Sequence, residues 1–447
     1  MAATSALQIE TKGIEQVTAA ESHGRPRALF GLWMAANIEF ATLTTGALAT
    51  GAFGLSGLDA FIAILIGNVI GGLILAAFAT YGVEYGLPQM IQGAKWFGPL
   101  GNKLPSLLNA FGGFSWFGVN TIIGGYALAT VLGTPLIPNI IVLCAVQVAI
   151  AFVGHDLIQA AEKYFFYLLV LIFAIFTIIA VTHTGALPAA QPKLLANVGG
   201  TSGAFILTTS VILSYVLGWI PYSSDYTRYM HGEPDATGIK KTAFTAVFWG
   251  SMVSCIWMEV LGAIIGASVN LVHPSDLFTS WLPGWFKIPL IVAIIIGTIS
   301  ANILNIYSAT LSALAVGFKL KQSHAAIVTG VIGTIISVLA AANFIKNYES
   351  FLFFLGYWTA PWAALVYLGH TFKRTSRIPS VSASFVAWII GIAASVPFFN
   401  QYPLFVGFFA NDYPQFGDIS FAVGAIVASI AYFALTTAPS AVTAAAE

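Results

Sequence analysis

Two side chains able to recognise a ligand lie inside a long apolar stretch of this sequence. Trp116 and Asn120, in the segment SWFGVN, are four residues apart, so on a helix they share one face. A buried amide without partners costs about 1–3 kcal/mol, so Asn120 should face protein, water or a ligand rather than lipid. An indole beside an amide offers a stacking face, a donor and an acceptor to a flat heteroaromatic ring.

A second polar face lies further along the chain, in the segment GTISANILNIYSATLS. Asn302 and Asn305 are three residues apart there, among Thr298, Ser300 and Tyr307. Together with the first face they would form an uncharged pocket with several donors and acceptors, which suits a small neutral planar solute. No Arg or Lys is placed to neutralise a carboxylate or phosphate, which argues against nucleotides and organic acids. Taken alone, the first pair also fits ordinary helix packing or interfacial anchoring.

The composition is that of an integral membrane protein. Of 447 residues, 58% are apolar and 8% are charged, against about 25% charged in soluble domains. The net charge of zero argues against nucleic acid as a partner. Cys144 and Cys255 lack metal-ligand spacing, and no nucleotide loop, zinc signature or nucleophile motif occurs. An enzyme is therefore not expected, and no cofactor is expected either.

Apolar runs long enough to cross a hydrocarbon core of about 30 Å predict twelve transmembrane helices. They lie near residues 29–50, 58–80, 104–132, 135–153, 163–182, 203–223, 242–270, 286–316, 325–344, 350–370, 380–397 and 419–437. Of the 17 Lys and Arg residues, 14 fall in the N-terminal tail or the even-numbered loops. By the positive-inside rule, both termini are expected to be cytoplasmic.

The first and sixth predicted spans are interrupted by polar residues and helix breakers. The first contains Asn37 and Glu39, and the sixth contains Ser214, Gly218 and Pro221. Discontinuous helices in corresponding positions of two halves indicate an inverted-repeat transporter with its site near the membrane midplane. Membrane helices also tolerate glycine and proline without such a role.

The sequence around these residues resembles the nucleobase:cation symporter-1 family, and its purine-cytosine permease branch more than its hydantoin branch. The resemblance extends over nearly the whole chain. The motifs that carry it are WMAAN in the first span, GLPQMIQ and FGPLGNKLP before the third, WFGVN in the third, SDYTRY closing the sixth, ANILNIYS in the eighth and GYWTAPW in the tenth.

The resemblance implies an all-α integral membrane fold with twelve transmembrane helices. Its core is a 5+5 inverted repeat like that of amino-acid/sodium symporters, with discontinuous helices 1 and 6, followed by two C-terminal helices. The implied segments are a cytoplasmic tail at 1–28, a transporter domain at 29–437 with repeats at 29–182 and 203–370 and helices 11 and 12 at 380–437, and a second cytoplasmic tail at 438–447.

The implied function is secondary-active import of a nucleobase, cytosine or a purine, across the cell membrane by a monomer coupled to H⁺ or Na⁺. Allantoin, a hydantoin or a pyridoxine-like vitamin is the alternative substrate, and Asn rather than Gln at position 120 favours the nucleobase branch. A passive channel and an intramembrane enzyme are alternatives of other classes. The enzyme would need convergent ionisable residues.

The resemblance also assigns roles to individual residues. Trp116 is similar to the family's stacking platform and Asn120 to the amide that reads the ring edge. Asn302 resembles the second hydrogen-bonding group, with Asn305 close behind it. The other implied site residues are Phe40 in the first span, and Ser214 and Tyr215 in the unwound part of the sixth.

Two coupling ions, sodium and a proton, are compatible with these residues. For sodium, Ala36 and Glu39 would offer backbone carbonyls and Thr298 and Ser300 hydroxyls, although Gly297 lacks a hydroxyl where relatives often have one. A carboxylate inside a span costs about 2.5–3.5 kcal/mol on insertion scales and often marks a proton relay. Glu39 is therefore a candidate to titrate during transport, and a permanently protonated structural Glu39 is the alternative. Glu259 is a weaker candidate of the same kind.

Overall fold

The structure, a computed structural model, describes residues 13–22, 25–153, 155–185, 187–232, 235–279, 281–318, 322–378, 381–401 and 404–438. The first helices are α1 (Ala28–Asn37), α2 (Phe40–Gly51), α3 (Gly57–Tyr85), α4 (Gln89–Gly101), α5 (Lys103–Leu132), α6 (Leu136–Val153) and α7 (His155–Thr184). They are followed by α8 (Pro192–Asn197), α9 (Gly200–Leu217), α10 (Ser223–Thr227), α11 (Ala236–Gly266), α12 (Asp276–Thr279), α13 (Gly284–Val316), α14 (Gln322–Ala340), α15 (Phe344–Phe372), α16 (Ala383–Ser395), α17 (Phe408–Asp412) and α18 (Ser420–Leu435). Two antiparallel pairs of short strands connect the last helices: β1 (Thr375–Ser376) with β4 (Thr436–Thr437), and β2 (Asn400–Gln401) with β3 (Phe405–Val406).

The helices agree with the expected membrane fold. Within the described residues, seven helical stretches are long and apolar enough to cross a membrane, and four shorter apolar helices accompany them. Each of the predicted spans overlaps one of these helices. The all-α membrane fold is thereby confirmed, while the exact number of twelve crossings stays a prediction. The predicted tails lie partly outside the described residues, at 1–12, 23–24 and 439–447.

The first predicted span consists of two helices separated by a break at Ile38 and Glu39. The Ile38 N–H donates to the Met34 carbonyl (2.9 Å) and closes α1. Glu39 is extended, with φ −143° and ψ 167°, before α2 begins at Phe40. Carbonyls in the last turn of α1 therefore lack the donors that a continued helix would supply. Both break residues are buried, so these carbonyls lie inside the protein.

The sixth predicted span is broken in the corresponding way. α9 ends one residue before Gly218, and a 3₁₀ turn at Ile220–Tyr222 leads into α10. Pro221 has no N–H to donate, which prevents a continuous helical ladder there. A Cβ on Gly218 would lie 3.1 Å from Leu355 Cδ1 and 3.3 Å from Trp116 Nε1, so the backbone of this break closely approaches α5 and α15. The predicted discontinuity of helices 1 and 6 is confirmed.

Helix α11 crosses α2 with almost no side chain between the two backbones. A Cβ on Gly262 would lie 1.9 Å from the Leu43 carbonyl oxygen, and one on Gly46 would lie 1.9 Å from the Glu259 carbonyl oxygen. Such approach is the usual consequence of small residues at a membrane helix interface, where close backbone packing replaces the hydrophobic driving force. The crossing fixes the position of α2, which follows the first break.

Gly262→Ala is expected to lower the free energy of unfolding by about 1–3 kcal/mol, because the added methyl group must displace backbone. The matched control is Gly31→Ala in α1, since no described atom lies within 4 Å of the Cβ that it adds. Thermal unfolding in detergent compares the two variants. Equal melting temperatures for both would contradict the close packing of α2 on α11.

The segment 13–22 packs against one end of the helical bundle, called the tail end below. The Val17 N–H donates to the Gly86 carbonyl (2.9 Å) at the end of α3. Arg228, which follows α10, donates to the Gly13 carbonyl (2.8 Å). The tail end is therefore the end predicted to face the cytoplasm.

Candidate functional site

Trp116 of α5 lies in a group of aromatic rings contributed by α9 and α15. Its ring makes edge contacts with Tyr215 (centroids 5.3 Å apart, planes at 86°) and Phe351 (5.1 Å, 77°). Tyr348 adds a third edge contact at 6.1 Å. The indole is 4% exposed. The predicted stacking residue is thus held between α9 and α15.

Asn302 of α13 is the centre of a buried amide cluster. Its Nδ2 lies 3.0 Å from each of three acceptors, the Phe117 carbonyl, Thr121 Oγ1 and Gln147 Oε1. Two of these acceptors belong to α5 and the third to α6. The Asn302 side chain consequently joins three helices, and its donor capacity is used within the protein.

The other predicted amides meet at the Asn302 oxygen. Asn120 and Asn305 each donate an Nδ2 hydrogen to Asn302 Oδ1 at 3.3 Å. Their own Oδ1 atoms, together with Gln147 Nε2, are buried and have no hydrogen-bond partner within the described chain. A buried polar group left unpaired costs about 1–3 kcal/mol. The cluster therefore presents two acceptors and one donor whose pairing would be completed by a polar ligand or by water.

Gln147 was not among the residues predicted from the sequence. It is fully buried in α6, inside the apolar run AVQVA. Besides accepting from Asn302, its Oε1 accepts from the Thr121 hydroxyl (2.9 Å). An isolated glutamine in a predicted membrane helix is a usable signal, because such residues are costly in lipid and usually face the bundle interior.

Tyr215 connects the two broken helices. Its hydroxyl lies 2.6 Å from Thr42 Oγ1 and is within donating distance of Glu39 Oε1 (3.3 Å) and Asn37 Oδ1 (3.4 Å). Glu39 is 1% exposed, and its second oxygen has no partner among the described residues. The same tyrosine that contacts Trp116 thus reaches the acidic side chain in the first break.

The two remaining predicted site residues contact the surrounding scaffold. The Phe40 ring makes an edge contact with Phe278 of α12 (5.3 Å, 86°). The Ser214 hydroxyl donates to the Leu352 carbonyl of α15. Phe40 thereby anchors the start of α2, and Ser214 connects α9 to α15, so both residues hold the elements that carry the polar groups.

Helix α13 passes directly beside the first break. A Cβ on Gly297 would lie 3.5 Å from the Glu39 Cβ. Thr298 is buried, and its hydroxyl donates to the carbonyl three residues earlier (2.9 Å). Ser300 and Ala36 are fully buried as well. The structure thus brings α13 next to the break that contains the predicted carbonyl ligands.

Glu259 of α11 is a second buried acid, and it lies away from the amide cluster. Asn68 of α3 donates to one of its carboxylate oxygens, and the other oxygen has no partner among the described residues. Its backbone is the one that α2 approaches at Gly46. Glu259 therefore belongs to the contact between α2, α3 and α11.

The motif SDYTRY forms a polar layer between the site and the tail end. Asp225 accepts the backbone N–H of Gln89 (2.9 Å), where α4 begins. Arg228 donates to the hydroxyls of Tyr229 and Tyr307, both at 2.9 Å. All five residues are buried, so this layer separates the amide cluster from the cytoplasmic side expected at the tail end.

A cavity of about 250 Å³ lies on the face of α5 that turns toward α14 and α15. Ser115 and Val119, the neighbours of the predicted site residues on α5, line it together with Tyr348 and Phe351. Trp116, Asn120 and Asn302 are not among its lining residues. Tyr348 and Phe351 therefore border this cavity and also contact Trp116.

Two discontinuous helices around a buried polar cluster define a class of protein, the inverted-repeat secondary transporters. The overall fold agrees with that of Mhp1, a nucleobase-cation-symport-1 family transporter solved in a closed conformation with bromovinylhydantoin bound. The TM-score is 0.71 over 96% of this chain and 95% of Mhp1. At 16% sequence identity the likeness shows the fold alone.

Residues 16–424 match the family described as permeases for cytosine/purines, uracil, thiamine and allantoin, and the chain belongs to this family. YxlA of Bacillus subtilis (strain 168) is 29% identical to it over 96% of both chains. The purine-cytosine permease fcyB of Emericella nidulans is 25% identical over 96% of this chain and 88% of its own. The protein is therefore a multi-pass membrane transporter.

Proposed function

We propose that this protein imports a nucleobase, cytosine or a purine, by alternating access coupled to sodium or protons. The observation that carries the proposal is the set of unpaired buried groups in the amide cluster, Asn120 Oδ1, Asn305 Oδ1 and Gln147 Nε2. The permease family and the purine-cytosine permease fcyB support the same substrate class.

The chemistry of a nucleobase matches these groups. Each base carries donors and acceptors side by side on its edge, such as the amino group of cytosine and the N7 and amino group of adenine. Two amide oxygens can accept from amino or ring N–H groups, while a glutamine N–H₂ can donate to a ring nitrogen or carbonyl. The cluster contains no cation, so a neutral ring fits it better than an anionic nucleotide does.

In this proposal Trp116 supplies the stacking surface and Asn120 and Asn305 read the ring edge. Asn302 acts as the second polar group of the site by holding both amides in place through its own oxygen. Tyr215 borders the ring, while Phe40 and Ser214 maintain the two broken helices around it. Opening of the cavity beside Tyr348 and Phe351 would admit the substrate to Trp116.

We propose that the coupling ion binds at the first break. For sodium, the ligands would be the carbonyls of Ala36 and Glu39 and the hydroxyls of Thr298 and Ser300, which matches the hard oxygen donors that such cations prefer. For a proton, the carrier would be the Glu39 side chain, whose unpaired oxygen and contact with Tyr215 connect ion binding to the substrate site.

Glu39→Gln is expected to flatten the pH dependence of uptake if Glu39 carries the proton. Uptake by the native protein should then fall as the external pH rises, because the protonated transporter becomes rarer. Uptake into liposomes at acidic and alkaline external pH, without sodium, measures the slope of uptake against pH. Glu259→Gln is the matched control and should retain the slope of the native protein. An unchanged slope in Glu39→Gln would remove Glu39 as the carrier.

We further propose that the transporter functions as a monomer in the cell membrane. Both termini would be cytoplasmic, as the distribution of Lys and Arg predicts. Its repeats are residues 29–182 and 203–370, followed by two further helices in 380–437. The segments 1–28 and 438–447 are the tails.

Allantoin, a hydantoin or a pyridoxine-like ring is the alternative substrate within this class. The family description itself includes allantoin. These compounds also carry donors and acceptors, so the amide cluster alone does not separate them from nucleobases. Their binding is therefore measured together with that of the bases.

A thermal-shift series on detergent-purified protein tests the substrate class. Cytosine, adenine, hypoxanthine, guanine, uracil, allantoin and pyridoxine are each added with sodium or with choline. A ligand at about 100 times its Kd should stabilise the folded state by about 2.7 kcal/mol. We expect one or more nucleobases to stabilise the protein. Stabilisation by allantoin or pyridoxine alone would contradict the proposed substrate, and an effect of sodium on the shift would favour the sodium site.

A further inference from the structure

A second cavity, of about 510 Å³, lies at the tail end of the bundle, away from Trp116. It is bounded by α4, the C-terminal end of α15, the start of α16 and the end of α18. Its charged and hydroxyl-bearing lining residues are Lys95, Lys373, Arg374, Ser376, Ser382, Ser384, Tyr432 and Thr436. The amide cluster and its ligands do not involve any of these side chains.

The charge of this cavity is of one sign. Three cations line it, and none of its lining residues is acidic. Its lining residues lie within 95–98, 369–384 and 432–436, and the sequence around them has no Asp or Glu over residues 85–155, 350–411 and 419–446. The acid that precedes the first of them, Glu84, forms a salt bridge with Lys240 at 2.6 Å. The cavity therefore has the electrostatics of a site for an anion.

The cations are positioned by contacts within the protein. Arg374 donates from Nε to Thr436 Oγ1 (2.8 Å) and from Nη2 to the Thr436 carbonyl (2.9 Å), where β4 pairs with β1. Lys95 lies over the ring of Tyr85 at 4.7 Å from its centroid. Planar guanidinium and flexible ammonium groups together are a common set of ligands for phosphate oxygens. The site is thus largely formed before any ligand arrives.

A hydroxyl adds a further polar group to the lining. Ser384, in the first turn of α16, lines the cavity and is 3% exposed. Its hydroxyl can donate to an oxyanion in the cavity. A lining that holds three cations and a hydroxyl supplies several donors at these positions, which fits a ligand with several acceptor oxygens.

Apolar surface continues outward from the cations. Val381 lines the cavity and is 45% exposed. Phe372 and Phe433 pack edge to face, and the Phe433 ring lies 5.2 Å from the Arg374 guanidinium carbon. Both rings are also exposed, at 45% and 39%. An anionic group that entered here would have an apolar surface next to it, which fits an acyl chain.

We propose that this cavity binds the phosphate group of an anionic membrane lipid from the leaflet at the tail end. The three cations and Ser384 bind the phosphate oxygens, and the acyl chains follow the apolar surface formed by Val381, Phe372 and Phe433. Anionic lipids attract clustered Lys and Arg residues at the cytoplasmic surface. The bound lipid would join α4, α15, α16 and α18 and so stabilise the tail end.

The test uses detergent-purified full-length protein and native mass spectrometry. Phosphatidylglycerol is titrated against phosphatidylcholine with the same acyl chains, and inorganic phosphate is a separate arm. We expect preferential retention of phosphatidylglycerol. Lys95→Gln and Lys373→Gln should each weaken it about fivefold, since each cation near the surface contributes about that factor. Lys241→Gln, an exposed cation of α11 outside the cavity, should leave it unchanged.

Both cavity lysines are exposed, so the variants should fold, and melting curves without added lipid verify this. Equal retention of the two lipids would overturn the proposal, as would native-like binding in the Lys95→Gln/Lys373→Gln double variant. If inorganic phosphate displaces bound phosphatidylglycerol as effectively as free phosphatidylglycerol does, the site takes a free anion and not a lipid. A selective loss in the double variant, absent in Lys241→Gln, would support the lipid site.

Discussion

Trp116→Ala is expected to weaken nucleobase binding by about 5- to 150-fold. Stacking of a base on an aromatic side chain contributes about 1–3 kcal/mol, and this range corresponds to that factor. The ring is held in place by Tyr215, Phe351 and Tyr348, so its orientation is fixed before the ligand binds. Binding of radiolabelled base to the purified protein gives the Kd of each variant.

Two further tryptophan variants separate stacking from packing. Trp116→Phe retains an aromatic face and should recover most of the affinity lost in Trp116→Ala. Trp285→Ala removes an indole that is 68% exposed at the start of α13 and should bind like the native protein. If Trp116→Ala remains folded and binds a base with native affinity, the stacking role is wrong.

Asn302→Ala is expected to abolish measurable binding and to lower thermal stability together. The substitution removes the donor for the Phe117 carbonyl, Thr121 and Gln147, and removes the acceptor for two further amides. Each buried group left without a partner costs about 1–3 kcal/mol. Asn120 also loses its hydrogen bond to Asn302 Oδ1, so the amide proposed to bind the ring edge is no longer held in one orientation.

The stability effect of Asn302→Ala has a matched control in Asn411→Ala. Asn411 is exposed, and among the described contacts its side chain donates only to its neighbour Asp412 (3.2 Å). Its loss should change neither the melting temperature nor the Kd. Native-like values of both quantities in Asn302→Ala would show that the amide cluster is not the organising centre of the site.

The two helix breaks could be predicted because their causes are local. Glu39 and Asn37 are polar residues in an apolar run, and Pro221 removes a backbone donor in the other break. The spacing of Trp116 and Asn120 likewise fixes their common helical face without any knowledge of the fold. These features depend only on residues close together in sequence, so no tertiary contact is needed to infer them.

The partners of those residues could not be predicted in the same way. Gln147 joins the amide cluster only because α6 packs beside α5 and α13, and Phe40 meets Phe278 only because the four-residue helix α12 reaches α2. Short elements such as α8, α12 and the two strand pairs have too few residues to show a period of their own. Their positions are set by contacts between residues distant in sequence.

Uptake into liposomes containing the purified protein distinguishes concentrative nucleobase import from passive flux. Radiolabelled cytosine, adenine and hypoxanthine are supplied outside, under an inward sodium gradient, an inward proton gradient or neither. We expect at least one nucleobase to accumulate above its external concentration under one of the gradients, and Trp116→Ala to lose this accumulation. Flux that no gradient makes concentrative, or accumulation of allantoin or pyridoxine without any nucleobase, would rule out nucleobase symport by this protein.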